Sequence, residues 1–175
     1  MTTPNEAAAP PLLLVLDTGA GGLIRLPGAG SADPSALPLS MAASVPGQRV
    51  WRIEAGDDVL AHAALLADAE RIDVQFDRFT DGRGFSSARL LRERLRYRGR
   101  LRAVGDVVVD ILFYLRRCGF DEFALRADQD LQAALGALRA FGAVYQPASD
   151  ARTPLYALRA AAGRDARGPD VEHAR

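Results

Sequence analysis

The stretch FTDGRGFSSARLLRERL, residues 79–95, concentrates the residue types that hold an anion. Gly82 and Gly84 can adopt positive φ and let a ligand approach the backbone. Ser86 or Ser87 can cap the helix that follows, and Arg83 and Arg89 could grip an oxyanion in bidentate fashion. A loop that follows a strand and opens a helix also aims free N–H groups and the helix dipole at whatever fills it. The plainer reading is a tight turn made by Asp81 and the glycines, with solvated arginines around it. The residues alone leave both open.

A second set lies in DVVVDILFYLRRCGF, an apolar helix on which Asp106, Asp110, Tyr114 and Arg117 recur at helical spacing. As a functional stripe it would make Asp106 or Asp110 an acid or base, with Asp110 a buried carboxylate facing the anion loop. As a structural one, Asp110 pairs internally with Tyr114 or Arg117. Cys118 ends this helix, where the dipole raises a thiol pKa, so it reads as a packed thiol and not a nucleophile.

Other motifs fail on residue identity or context. DTGA at Asp17–Ala20 matches the catalytic turn of aspartic proteases, but the chain downstream alternates strands and helices. The glycines at 19–22 and 28–30 lack the third small residue of a dinucleotide fingerprint, and no lysine exists to complete a phosphate loop. With one cysteine and two separated histidines, His62 and His173, no siroheme, iron–sulfur or zinc site held by this chain alone is expected.

All the basic residues are arginines, and they are unevenly placed although the net charge is zero. Residues 54–81 hold eight acids against two arginines, and residues 83–102 hold eight arginines against Glu93 alone. One strongly basic face would steer an acidic partner or anionic ligand. A nucleic-acid role is not expected, because aromatic residues do not interleave the arginines as stacking platforms. No signal peptide or membrane span is legible, so a cytoplasmic location is expected.

The elements that must position these residues follow from periodicity. Residues 1–49 read as a low-complexity arm with one strand, PPLLLVLD. From 50 to 147, strand starts near 50, 72, 101, 122 and 143 alternate with helices. Those helices open at Asp57-Asp58, near Ser87, at Asp106 and at Asp128, and glycines 99, 119 and 142 end the last three. The pattern predicts an α/β domain of repeated β-α units in a mainly parallel sheet, either open or curved into a partial barrel. Its loops at the carboxyl ends of strands, FTDGRGFS and VGD, are where function would sit. Residues 148–175 read as a polar, frayed tail.

Three segments, FTDGRGFSSARLLRERL, GRLRAVGDVVVDILFYLRRCGFDEFAL and AVYQP, carry a resemblance that spans residues 50–147. The chain resembles the bacterial domain-of-unknown-function family whose label assigns it an oxidoreductase role in sulfite reduction. That family typically stands beside sulfite reductase and adenylyl-sulfate-type reductases, and its label rests on those neighbours. The resemblance implies a place in sulfur assimilation and cysteine synthesis. Two positions depart from the family pattern: Ile111 stands where the family has Gln, and Arg100 where it has an acid.

The resulting expectation is an accessory protein working with sulfite reductase, delivering electrons through a partner or aiding assembly. Arg89, Arg92 and Arg96 would be its docking face, and the DGRG loop an oxyanion or cofactor-phosphate site. The alternative is a small enzyme that binds a phosphorylated or sulfonated metabolite at Gly82, Arg83, Gly84, Ser86, Ser87 and Arg89.

Overall fold

In the computed structural model, which describes residues 12–16, 23–26, 35–44, 47–150 and 152–165, seven strands form one open sheet. The strands are β1 (Leu12–Leu16), β2 (Leu23–Leu26), β3 (Leu37–Pro38), β4 (Val50–Ile53), β5 (Arg71–Phe76), β6 (Arg100–Gly105) and β7 (Glu122–Leu125). Their order is β2-β1-β7-β6-β5-β4-β3, with β3 to β7 parallel and β1 antiparallel to both β2 and β7. The mainly parallel α/β architecture expected from the sequence is present, and the sheet is open. The DTGA motif and both glycine clusters of the N-terminal region lie outside the described residues.

Alternation within each strand divides the sheet into two unlike faces. Trp51, Ile53, Ile72, Val74, Phe76, Leu101, Ala103, Phe123 and Leu125 point to one face and form the main core. Onto it pack α1 (Ala63–Ala67), α2 (Arg83–Arg89), α3 (Leu112–Arg117) and α4 (Leu131–Arg139), through Leu66, Ala88, Leu112, Leu115, Ala134 and Leu138. The other face carries a smaller cluster, Leu13, Val15, Val104 and Ala124, and beside it a row of charges. Arg52, Asp73, Arg102 and Glu122 stand directly opposite one another across β4, β5, β6 and β7. Within the row, Arg102 is bonded to Glu122 at 2.6 Å, and Asp73 accepts from Arg71 at 2.8 Å.

Several boundaries differ from expectation, each for a local reason. The helix expected from Asp57-Asp58 begins only at Ala63, after turns at 59–62. Asp57 accepts from Glu54 N at 2.8 Å, and Asp58 from Leu60 N and Ala61 N at 2.9 and 3.1 Å. Asp57 thus ties the preceding turn, and Asp58 bonds the N–H groups of the turn that leads into α1. The helix after Asp106 is delayed to a 3-10 turn at Val109–Ile111, and Asp130, not Asp128, caps α4 by accepting from Ala133 N. At 143–147 the expected strand is a single bridge between Val144 and Pro154, followed by α5 (Leu155–Asp165) in the region expected to fray. Among residues 1–49 the strand expected at LLLVL is present, and β2 and β3 were not anticipated. Gly119 ends α3 at φ 96° as expected. No helix among the described residues is long and apolar enough to cross a membrane.

Candidate functional site

The parallel strands β4 to β7 end at the same edge of the sheet, so the loops at 54–62, 77–82, 105–108 and 126–130 are neighbours. Between the first of these loops and α2 lies an open cleft of about 520 Å³, lined by Asp57, Asp58, Leu60, Gly82, Arg83, Ser86, Ser87 and Leu90. Of the predicted anion-binding residues, Gly82, Arg83, Ser86 and Ser87 line this cleft and Gly84 and Arg89 do not, while Asp57 and Asp58 share it unanticipated.

Their internal chemistry departs from an anion cradle. Arg83 Nε donates to both Asp81 oxygens at 3.0 Å, and Nη2 to Oδ2 at 2.5 Å. Asp81 also accepts the Arg83 backbone N–H, and the guanidinium bonds hold its pKa down at about 2. Neither glycine adopts positive φ. Gly82 is helical at φ −73°, and the helix already starts at Arg83, so Ser86 and Ser87 lie inside it and cannot cap it. Gly84 is required by packing: a Cβ there would meet the Phe76 ring at 2.6 Å. Phe76 in turn is held by Phe85 and Phe120, at 5.2 and 6.0 Å between ring centres.

The arginine stripe is divided among three roles. Arg89 bonds Glu93 at 3.0 Å, one turn along the helix, and Glu93 also accepts from Ser149. Both contacts, led by the Arg89 bond, lower the Glu93 pKa. Arg92 points inward, donating to Gly119 O, Tyr97 O, Gly99 O and the Asp121 carboxylate at 2.6–2.9 Å. It is a brace between the helical turn Leu90–Arg94 that continues α2, the turn at 97–99 and the start of β7, which corrects its assignment to a docking face. Arg96 is exposed, at φ 55°.

The Asp106–Arg117 stripe does not assemble. Asp106 precedes the helix, accepting from Phe79 N at 2.9 Å and Arg126 Nη1 at 2.6 Å, and so ties the DGRG loop to the end of β7. Arg126 is held from its other side by Asp128 at 2.6 and 2.8 Å; those bonds raise the arginine pKa and lower that of Asp128 to about 2. Asp110 is exposed, against the buried carboxylate expected, because the helix it was placed on starts late and turns it outward. Arg117 pairs instead with Asp150 at 2.8 Å and with Gln146 O. Cys118 is buried, and burial pushes its thiol up to about 11.

Sequence reasoning missed Arg126 and Asp150. The first had a signal: Arg126 and Asp128 repeat, after β7, the two-residue spacing of Asp81 and Arg83 after β5. Asp150 had none, being 33 residues from its partner.

A family model described as "Bacterial protein of unknown function (DUF934)" matches residues 50–156. No curated protein and no solved structure matches the chain.

Proposed function

The chain belongs to the bacterial DUF934 family, and on that premise we propose that it is an accessory protein of assimilatory sulfite reduction, acting with sulfite reductase through protein contact. One observation carries the choice of accessory over enzyme. Two of the side chains expected to do chemistry at the strand ends are engaged in holding the fold: Arg83 with Asp81, and Asp106 with Arg126 and the Phe79 N–H. The pathway itself rests on the family resemblance of the DGRG and VGD segments.

Growth tests this reading. A deletion strain should grow on sulfide as sole sulfur source and fail on sulfate and sulfite, and the tagged chain should co-purify with the reductase. Normal growth on sulfite together with no co-purification would sink it.

The cleft supports a second reading, a small enzyme for a phosphorylated or sulfonated metabolite. Its volume, about 520 Å³, suits such a ligand, and Gly82, Arg83, Ser86 and Ser87 line it. The ligand would have to take Arg83 from Asp81 and tolerate Asp57 and Asp58 nearby. Thermal stabilisation by such metabolites, abolished in Arg83→Ala, would favour the enzyme.

A further inference from the structure

We infer that the turn at residues 94–98 is the docking surface of this chain and that its occupant is an acidic patch on a protein partner. This inference rests on the accessory reading above and gives it a place on the molecule.

The first support is the state of each arginine in the basic segment. Arg83, Arg89, Arg92, Arg100 and Arg102 all sit in ion pairs with carboxylates of this chain. Arg94, Arg96 and Arg98 are exposed and have no ion-pair or hydrogen-bond partner among the described residues. Three like charges within five residues repel one another, so an external counter-charge there relieves a cost already present.

The turn is also rigid. Tyr97 N donates to Leu91 O at 3.0 Å, and the buried Tyr97 donates its hydroxyl to Arg100 O at 3.1 Å. From beneath, Arg92 holds Tyr97 O and Gly99 O at 2.8 and 2.9 Å, and its guanidinium lies 5.4 Å from the Tyr97 ring centre. A partner would thus meet three guanidinium-bearing side chains on a backbone already fixed, which lowers the ordering cost of association.

The third support is Arg96 itself. Tyr97 N reaches back six residues to Leu91 O at the end of the helical turn, and Arg96, just before it, is left-handed at φ 55°. Glycine takes this conformation freely, whereas a side chain is strained there. A long cation kept where glycine folds more easily points to a use for the cation.

The chemistry around the turn selects the occupant. Its aromatic residue, Tyr97, is buried and offers no base-stacking surface, and Leu95 packs half-buried on the core, leaving no exposed apolar side chain for a lipid surface. Discrete carboxylates on a protein match guanidinium geometry and approach locally. The turn lies between α2 and β6, at the strand end opposite the cleft, so docking here leaves the cleft open.

The experiment compares full-length wild type, Arg96→Gly and the double variant Arg94→Glu/Arg98→Glu. Each is tested against poly-L-glutamate, assimilatory sulfite reductase, a single-stranded oligodeoxynucleotide and phosphatidylserine vesicles, at low and high salt. Wild type should bind polyglutamate and the reductase in a salt-sensitive way, the double variant about tenfold or more weakly, and Arg96→Gly weakly while remaining fully folded. Loss of polyglutamate binding in the variants with no reductase binding by any protein supports the turn and refutes the sulfite-reduction reading. Reductase binding equal in all three proteins refutes the turn and keeps that reading. Failure of wild type to bind polyglutamate, or tighter binding of oligonucleotide or vesicles, overturns the inference.

Discussion

Replacing Gly84 by alanine separates a glycine that admits a ligand from one that admits a neighbouring ring. The added methyl would sit 2.6 and 2.7 Å from two Phe76 ring carbons and 3.1 Å from a third. Phe76 is 1% exposed and wedged between Phe85 and Phe120, so the ring cannot swing aside, and α2 must lift from the sheet instead. Overpacking of this kind costs about 3 kcal/mol at the upper end of its usual range, and alanine returns about 1 kcal/mol through helix propensity. The net expectation is a loss of ~2 kcal/mol, a fall of about 4–8 °C in Tm for a chain of this size. Gly82→Ala is the matched control: its Cβ would meet nothing within 4 Å, and φ is already −73°, so the change should stay within about 0.5 kcal/mol. Urea and thermal unfolding followed by circular dichroism read both. Equal stability of Gly84→Ala and wild type, or equal damage from the two substitutions, would refute the packing argument and return Gly84 to a ligand role.

Other expectations follow from pairs described above. The Asp81 carboxylate should titrate near pH 2, and near its ordinary 3.8 in Arg83→Ala, by carbon-detected NMR. Because its folded pKa lies below the unfolded one, its contribution to stability is present above about pH 3.8 and is lost as pH falls through about 2. Loop amides at 78–83 should therefore stay protected at pH 4; their release there would contradict the pairing. Arg117→Met should cost roughly 3–5 kcal/mol, since it leaves Asp150 as an unpaired carboxylate whose side chain is 7% exposed. Adding Asp150→Asn should recover much of that loss in a double-mutant cycle, and additive losses would deny the coupling. Cys118, held near 11 by burial, should resist a thiol reagent at neutral pH in the folded chain and react on unfolding; prompt native labelling would contradict its placement.

The positions of the loops were legible because strand alternation in IDVQF and the helical spacing of Ala88 and Leu91 are local signals. The role of each residue was less so. Gly82 and Gly84 look alike in sequence, yet only one lies over a ring, and that ring stands eight residues earlier on a strand. Arg92 reads as part of an exposed stripe because its partners, Gly119 and Asp121, are 27 and 29 residues away. The charge switch at residue 81 is real, but short-range pairing, Asp81 with Arg83 and Arg89 with Glu93, neutralises much of it before it can act at a distance. Helix starts at Asp57 and Asp106 were misjudged for one reason. Aspartate caps helices and ties loops with the same oxygen atoms, and only the neighbouring N–H groups decide which.

The row Arg52, Asp73, Arg102, Glu122 bears on how the chain finds its pairing as it folds. Buried ion pairs add little to net stability once desolvation is counted, but they discriminate between alternatives. Four parallel strands made largely of aliphatic residues offer many offset alignments of similar apolar contact. Charges of alternating sign meet in one line only when all four strands are in step. An offset of two residues between β5 and β6 that sets Asp73 beside Val104 also sets Arg71 beside Arg102, a contact of like charges. An offset of one turns the whole row through the sheet into the helix-covered core. The row thus works as a proofreading code for strand assembly, written on the face that the helices do not cover.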